Sequence, residues 1–213
     1  MKTTFMIVLS LLASNAIAGE YSGCEDPDYK AYVKNRLEYY EQLEKERYEG
    51  DLVYFDQLDV SEKSRFLYNN TVLSAKFDSE EVALKNISRF EELSGNDSSS
   101  FNFRIALHKV NIAKGWIALH SGDIEEATRY LLKSTETKGT AALSTFGPDK
   151  TLIRALYQRG HKTPVLDYLD KVQSFWHTDN ALEYVEVWRT MIANDCSIQF
   201  QFYDKTSIVA LGL

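Results

Sequence analysis

The chain has 213 residues, 44% of them apolar and 13% aromatic, which is enough for a sizeable core in one domain and excludes wholesale disorder. Its 24 Lys and Arg stand against 31 Asp and Glu, a formal charge of −7, which argues against a generic nucleic-acid binder. Two cysteines are too few for a disulfide scaffold or a four-cysteine zinc site.

The first element is an address. Lys2 supplies a positive start, Phe5 to Ala13 form a short apolar run, and Ala16-Ile17-Ala18 is a small-x-small cleavage site. Together they predict a signal peptide over residues 1–18, cut after Ala18, and a single domain over residues 19–213. The apolar run is far short of the roughly 20 residues a membrane span needs. A lipoprotein reading through Cys24 is opposed by Tyr21, where an aliphatic residue is expected, and by Glu20. No later stretch is apolar enough to span a bilayer. The expected protein is exported, to a periplasmic or extracellular location, and loss of Lys2 takes its charge to −8.

Consecutive amphipathic helices follow, giving an all-α class. Asp26-Pro27 offers an N-cap and a first-turn proline for a helix running to about Tyr48 and stopped by Gly50. Its stretch from Glu38 to Glu49 reads as a solvated face, with Glu41 and Lys45 spaced for an i, i+4 pair. Ser61 opens a second helix to about Phe77. Asp78 with Glu81 resembles a capping box for a third, ending near Ser94. Helix is predicted from Phe101 to His120, then from Asp123 to about Thr137. Gly139 to Gly147 reads as a loop. Pro148 starts a helix that ends at Gly160, Thr163-Pro164 caps one to Trp176, and the last spans Asp179 to Asn194. Beyond Cys196, Ile198, Phe200 and Phe202 alternate with polar residues, the pattern of a short strand or an extended tail.

In an oxidising compartment two thiols usually pair. Cys24 and Cys196 are 172 positions apart. A bridge over such a loop contributes on the order of 5 kcal/mol in the chain-entropy picture and requires Cα atoms within about 7 Å. The alternatives are an intermolecular bridge or two free thiols. Without a C-x-x-C, a redox-active pair is not indicated.

The segment from Gly115 to Ala127, with its turn at Gly122, resembles a tetratricopeptide repeat. Gly115, Ala127 and Ser134 fit the small positions and Leu131 the large one; Lys114 departs from the expected leucine. A weaker copy turns at Gly160, with Leu156 before it and Val165, Leu169 and Val172 after it, but it lacks the small residues. The two turns are 38 residues apart, against about 34 in the family. The resemblance covers residues 101–176. The stretch from Phe146-Gly147-Pro148 to Phe175-Trp176 is also similar to one in uncharacterised exported bacterial proteins, a likeness that brings no activity with it.

The resemblance implies antiparallel hairpins stacked as a short right-handed array, ending here in a short extended tail. It also implies a groove lined by the first helices, which would take a peptide or protein partner. Lys109, Ile112, Trp116, Leu119 and His120 would face it from one copy, and Lys150, Arg154, Tyr157 and Gln158 from the other. The set holds three certain cations and no carboxylate, so it suits an acidic segment or a free C-terminus. Trp, Tyr and Arg are also the residue types that dominate binding hot spots. The bland alternative is a core Trp116 beside solvated cations.

No catalytic or metal motif appears. His108, His120, His161 and His177 form no H-E-x-x-H, and there is no G-x-S-x-G, P-loop or G-x-G-x-x-G. No cofactor is implied. An acidic inhibitor or immunity protein and an enzyme with an unwritten site are the competing expectations. Asn69, Asn86 and Asn96 begin glycosylation sequons, which matter only in a eukaryotic source.

Overall fold

Local chemistry sets the helices. The computed structural model describes residues 21–213, so the expected signal peptide over residues 1–18 and the expected cleavage after Ala18 lie outside the described residues. Among these residues the fold is all-α, with ten α-helices: α1 (Pro27–Leu52), α2 (Val60–Phe77), α3 (Glu80–Ser94), α4 (Phe101–His120), α5 (Ile124–Lys133), α6 (Ala141–Phe146), α7 (Thr151–Gln158), α8 (Lys162–Val172), α9 (Asp179–Ala193) and α10 (Asp204–Ala210). Side-chain caps mark most starts. Asp26 caps α1, Ser79 caps α3, Ser100 caps α4, Asp123 caps α5 and Thr178 caps α9, each satisfying amides that have no partner within the helix. Asp59 and Glu62 form a complete capping box on α2.

Several boundaries differ from expectation. α1 continues through Gly50, because one glycine costs a helix only about 1 kcal/mol. Asp78 closes α2 and does not cap α3; its carboxylate accepts from the Tyr48 and Ser74 hydroxyls instead. The expected Glu41–Lys45 pair is replaced by Lys45 with Glu49. The glycine-flanked loop contains α6, and Thr140 caps it. Pro164 is the third residue of α8, inside its first turn. After Cys196 no strand forms: Phe200 adopts a left-handed conformation (φ 53°), which breaks the alternating pattern, and the chain re-enters helix at Asp204.

The core runs along the array. α4 packs on α2, α3 and α5; α5 also packs on α8; α7 and α8 pair; and α9 joins α8 to α10. Gly115 of α4 has no room for a side chain. A Cβ there would lie 2.4 Å from Leu152 Cδ2 of α7 and 3.4 Å from the Ala127 carbonyl. Its absence lets α5 and α7 both close on α4. α4 and α7 are also tied through His108, which is fully buried. Its Nε2 accepts from the Asp149 amide at 2.9 Å, so Nδ1 carries the proton and donates to the Ser134 carbonyl at 3.1 Å. Burial pulls this imidazole from 6.5 down to about 4.

The two cysteines are bridged, with Cα atoms 4.5 Å apart. The bridge fixes the start of α1 to the segment after α9. Around it the Tyr29 hydroxyl donates to the Ser197 carbonyl at 2.6 Å, and the Tyr21 amide donates to the Ala210 carbonyl at 3.1 Å. Residues 21–29 and 196–210 therefore form one knot beside the helical array.

Candidate functional site

The face expected to bind comes from α4 and from the start and body of α7, and the structure gives its members different surroundings. Ile112 and Leu119 are fully buried core. Trp116 is 9% exposed; its indole donates to Thr151 Oγ1 at 3.0 Å, joining α4 to the first residue of α7. His120 is exposed, with its ring 5.5 Å from that of Trp116. Burial lowers its pKa, and the neighbouring charges of Arg159 and Lys76 lower it further.

The cations are engaged by the protein itself. Arg154 Nε donates to the Gln199 carbonyl at 2.7 Å, and the Tyr157 hydroxyl donates to the Cys196 carbonyl at 2.8 Å. Lys150 Nζ donates to the Pro148 carbonyl at 3.1 Å and lies 5.4 Å from the centre of the Trp176 ring. Burial brings its pKa down to about 8. Lys109 is apart from these. Its ammonium sits 4.6 Å over the Tyr68 ring, in a separate pocket of about 210 Å³ shared with Phe146 and Asp149. Burial pushes the Asp149 carboxyl up, but hydrogen bonds from the Thr151 hydroxyl and amide outweigh this and hold it below the usual carboxylate range.

Trp116, Arg154, Tyr157 and Gln158 do gather around open space, with α1 as the opposite wall. A gap of about 100 Å³ lies between Leu37, Glu41 and Glu44 of α1, Lys76 of α2, and Trp116, Arg154 and Gln158. It adjoins a cleft of about 540 Å³ that shares Leu37, Glu41 and Gln158 with it. Lys30 and Lys34 line this cleft from α1, Tyr157 from α7, Lys162 from α8, and Asp195 to Ile198 from the disulfide segment. Glu44 pairs with Lys76 at 2.6 Å, and Lys76 lies 5.4 Å over the Trp116 ring. Lys162 pairs with Asp195 across the cleft's edge. The arrangement places the half-buried Leu37 beside charges of both signs. Among the described residues no group of three or more His, Cys, Asp or Glu is placed to hold a metal, and no helix is long and apolar enough to cross a membrane.

Sequence reasoning missed α1 as part of this site. The available signal was the spacing of Leu37, Glu41 and Glu44, which puts all three on one face of the helix. Comparison with protein-family models, curated proteins and solved structures finds no match to this chain.

Proposed function

We propose that this protein is an exported helical-repeat interaction module, acting in a periplasmic or extracellular compartment, that takes a peptide segment of a protein partner in the cleft between α1 and α7. The observation that carries this reading is the open 540 Å³ space itself. It falls within the usual size of a binding pocket, and two residues of the expected repeat groove, Tyr157 and Gln158, line it. Its lysines and carboxylates can orient a segment, while the half-buried Leu37 supplies apolar contact. The Cys24–Cys196 bridge supports an oxidising location. The pairing of α4 with α5 and of α7 with α8 across left-handed glycine turns supports the module class.

The test places a photo-crosslinking side chain at Gln158 in the full oxidised chain, produced in its own host. The expected result is one predominant higher-mass adduct, weakened by Lys34→Glu. A crosslinker at Glu81 on α3, which lines neither opening, should give none. The same adducts from both positions, or none from Gln158, would remove the cleft as the binding site.

A further inference from the structure

α1 is held in an unusual way for a helix of 26 residues. Only Tyr29, Val33 and Tyr48 are buried, all near its two ends. Tyr29 is anchored at Ser197 beside the disulfide, and the Tyr48 hydroxyl donates to Asp78. Between these anchors α1 does not pack closely on α7; the 100 Å³ gap separates them. In the middle, Tyr32 and Leu37 pack against the core, the Arg36 guanidinium lies over the Tyr203 ring, and charge adds to these contacts. Lys76, its side chain only 6% exposed, has Glu44 as its ion-pair partner, and burial lowers the pKa of the Arg154 guanidinium, an effect that Glu44 and then Asp149, Asp204 and Glu41 offset only in part. Buried cations of this kind cost free energy unless an anion compensates them. From Glu38 to Asp51 the helix carries six carboxylates against Lys45 and Arg47.

We propose that the surface formed by Lys76, Trp116, Arg154 and Gln158 is a docking site for an acidic helix, and that α1 is its intramolecular occupant, kept beside it by the Cys24–Cys196 bridge. This rests on the reading of the protein as a binding module and names the chemistry of its partner: carboxylates one turn apart to meet Lys76 and Arg154, with an apolar side chain such as that of Leu37 one turn earlier. The bridge keeps the start of α1 next to the site, so its effective concentration there exceeds that of a competing helix in solution. A partner helix enters when it binds tightly enough to displace α1.

The experiment uses the full chain and a labelled synthetic peptide of residues 37–52. Cys24→Ser/Cys196→Ser should bind the peptide at least tenfold more tightly than the oxidised protein does. The peptide carrying Glu41→Lys and Glu44→Lys should lose that binding. Hydrogen exchange should show α1 amides at least tenfold faster in the latch-free protein, with α4 and α7 still protected. Equal binding to both protein forms, indifference to the charge reversal, or unchanged α1 exchange would overturn the proposal. If the latch-free protein loses protection in α4 as well, the deciding measurement is oxidised Glu41→Lys/Glu44→Lys. Faster α1 exchange at unchanged α4 protection supports the proposal, and unchanged α1 exchange overturns it. Crosslinking at Gln158 together with failure of the peptide would retain the module and reject the acidic helix as its partner.

Discussion

The α4–α5 and α7–α8 hairpins close with one turn and pack by two different means. In each, a glycine in the left-handed conformation follows the first helix, Gly122 at φ 82° and Gly160 at φ 85°. In each, the amide after the glycine reaches back to the helix, Asp123 to the Ala118 carbonyl at 2.9 Å and His161 to the Leu156 carbonyl at 3.0 Å. The glycine amides reach Leu119 and Tyr157 in the same way. Both turns are therefore Schellman closures, which satisfy carbonyls that the helix end leaves free. The packing above the turns differs. The first hairpin uses Gly115 against Ala127, and this opens a slot into which Leu152 of the second hairpin fits. The second hairpin has no such slot and fills its seam with the buried side chains of Leu156, Val165, Tyr168 and Leu169. Turn geometry is thus dictated locally by one glycine, whereas close approach depends on what a neighbouring helix inserts.

The largest expected effect comes from breaking the joint between the hairpins at His108. The imidazole titrates near 6.5 when unfolded and at about 4 in the fold, so between these values the unfolded chain binds the extra proton. Acidification from pH 6.5 to 4 therefore removes about 3 kcal/mol of stability through this residue. Asp204 acts in the opposite sense. Burial raises its carboxyl from 3.8 to about 6, so the folded protein binds the extra proton between those values, and acidification returns a similar amount. Between pH 6 and 4 the two offset each other. Asp204→Asn should uncover the His108 loss, seen as a denaturation midpoint that falls steeply below pH 6.5 where the parent protein's changes little. A parallel pH profile in the two proteins would contradict this assignment.

A middle-sized effect is expected at the slot. Gly115→Ala gains up to about 1 kcal/mol of helix propensity but forces the fully buried Leu152 to move, and overpacking costs about 1–3 kcal/mol. We expect a net loss of about 1 kcal/mol, read by urea denaturation. Leu152→Ala should then cost less in the Gly115→Ala background than alone, a coupling of at least about 0.5 kcal/mol. Additive losses would show that the two residues do not share the space.

The smallest effects separate turn from packing. An added Cβ at Gly122 or Gly160 meets nothing within 4 Å, so alanine there costs only the left-handed backbone, about 1 kcal/mol, and equally in both hairpins. Unequal losses in thermal or chemical denaturation would mean that the two turns differ beyond their hydrogen bonds.

What could be read from the sequence follows the same division. α4 has the predicted limits because Ser100 and the Gly122 turn are local signals at its two ends. α6 escaped notice because six residues are too short to show a helical period, and the flanking glycines read as loop. The residues after Cys196 misled for a related reason. Alternation at Ile198, Phe200 and Phe202 looks like a strand, but Ile198 and Phe200 are both buried and Phe202 is exposed, since the chain turns at Phe200 instead of extending. The site divides likewise. The resemblance to a tetratricopeptide repeat pointed to a face containing Trp116, Arg154, Tyr157 and Gln158, and those four do line the two openings. It could not separate core from surface on that face, as Ile112 shows, nor reveal that α1 stands opposite, because no local signal in α1 specifies which distant helix it meets.

The Cys24–Cys196 bridge also decides how the protein carries load. A pull applied at these two residues passes through a covalent bond and leaves the helices between them unstretched. Residues 25–195 are mechanically bypassed, so tension applied across the bridge is not transmitted to the contact between α4 and α7.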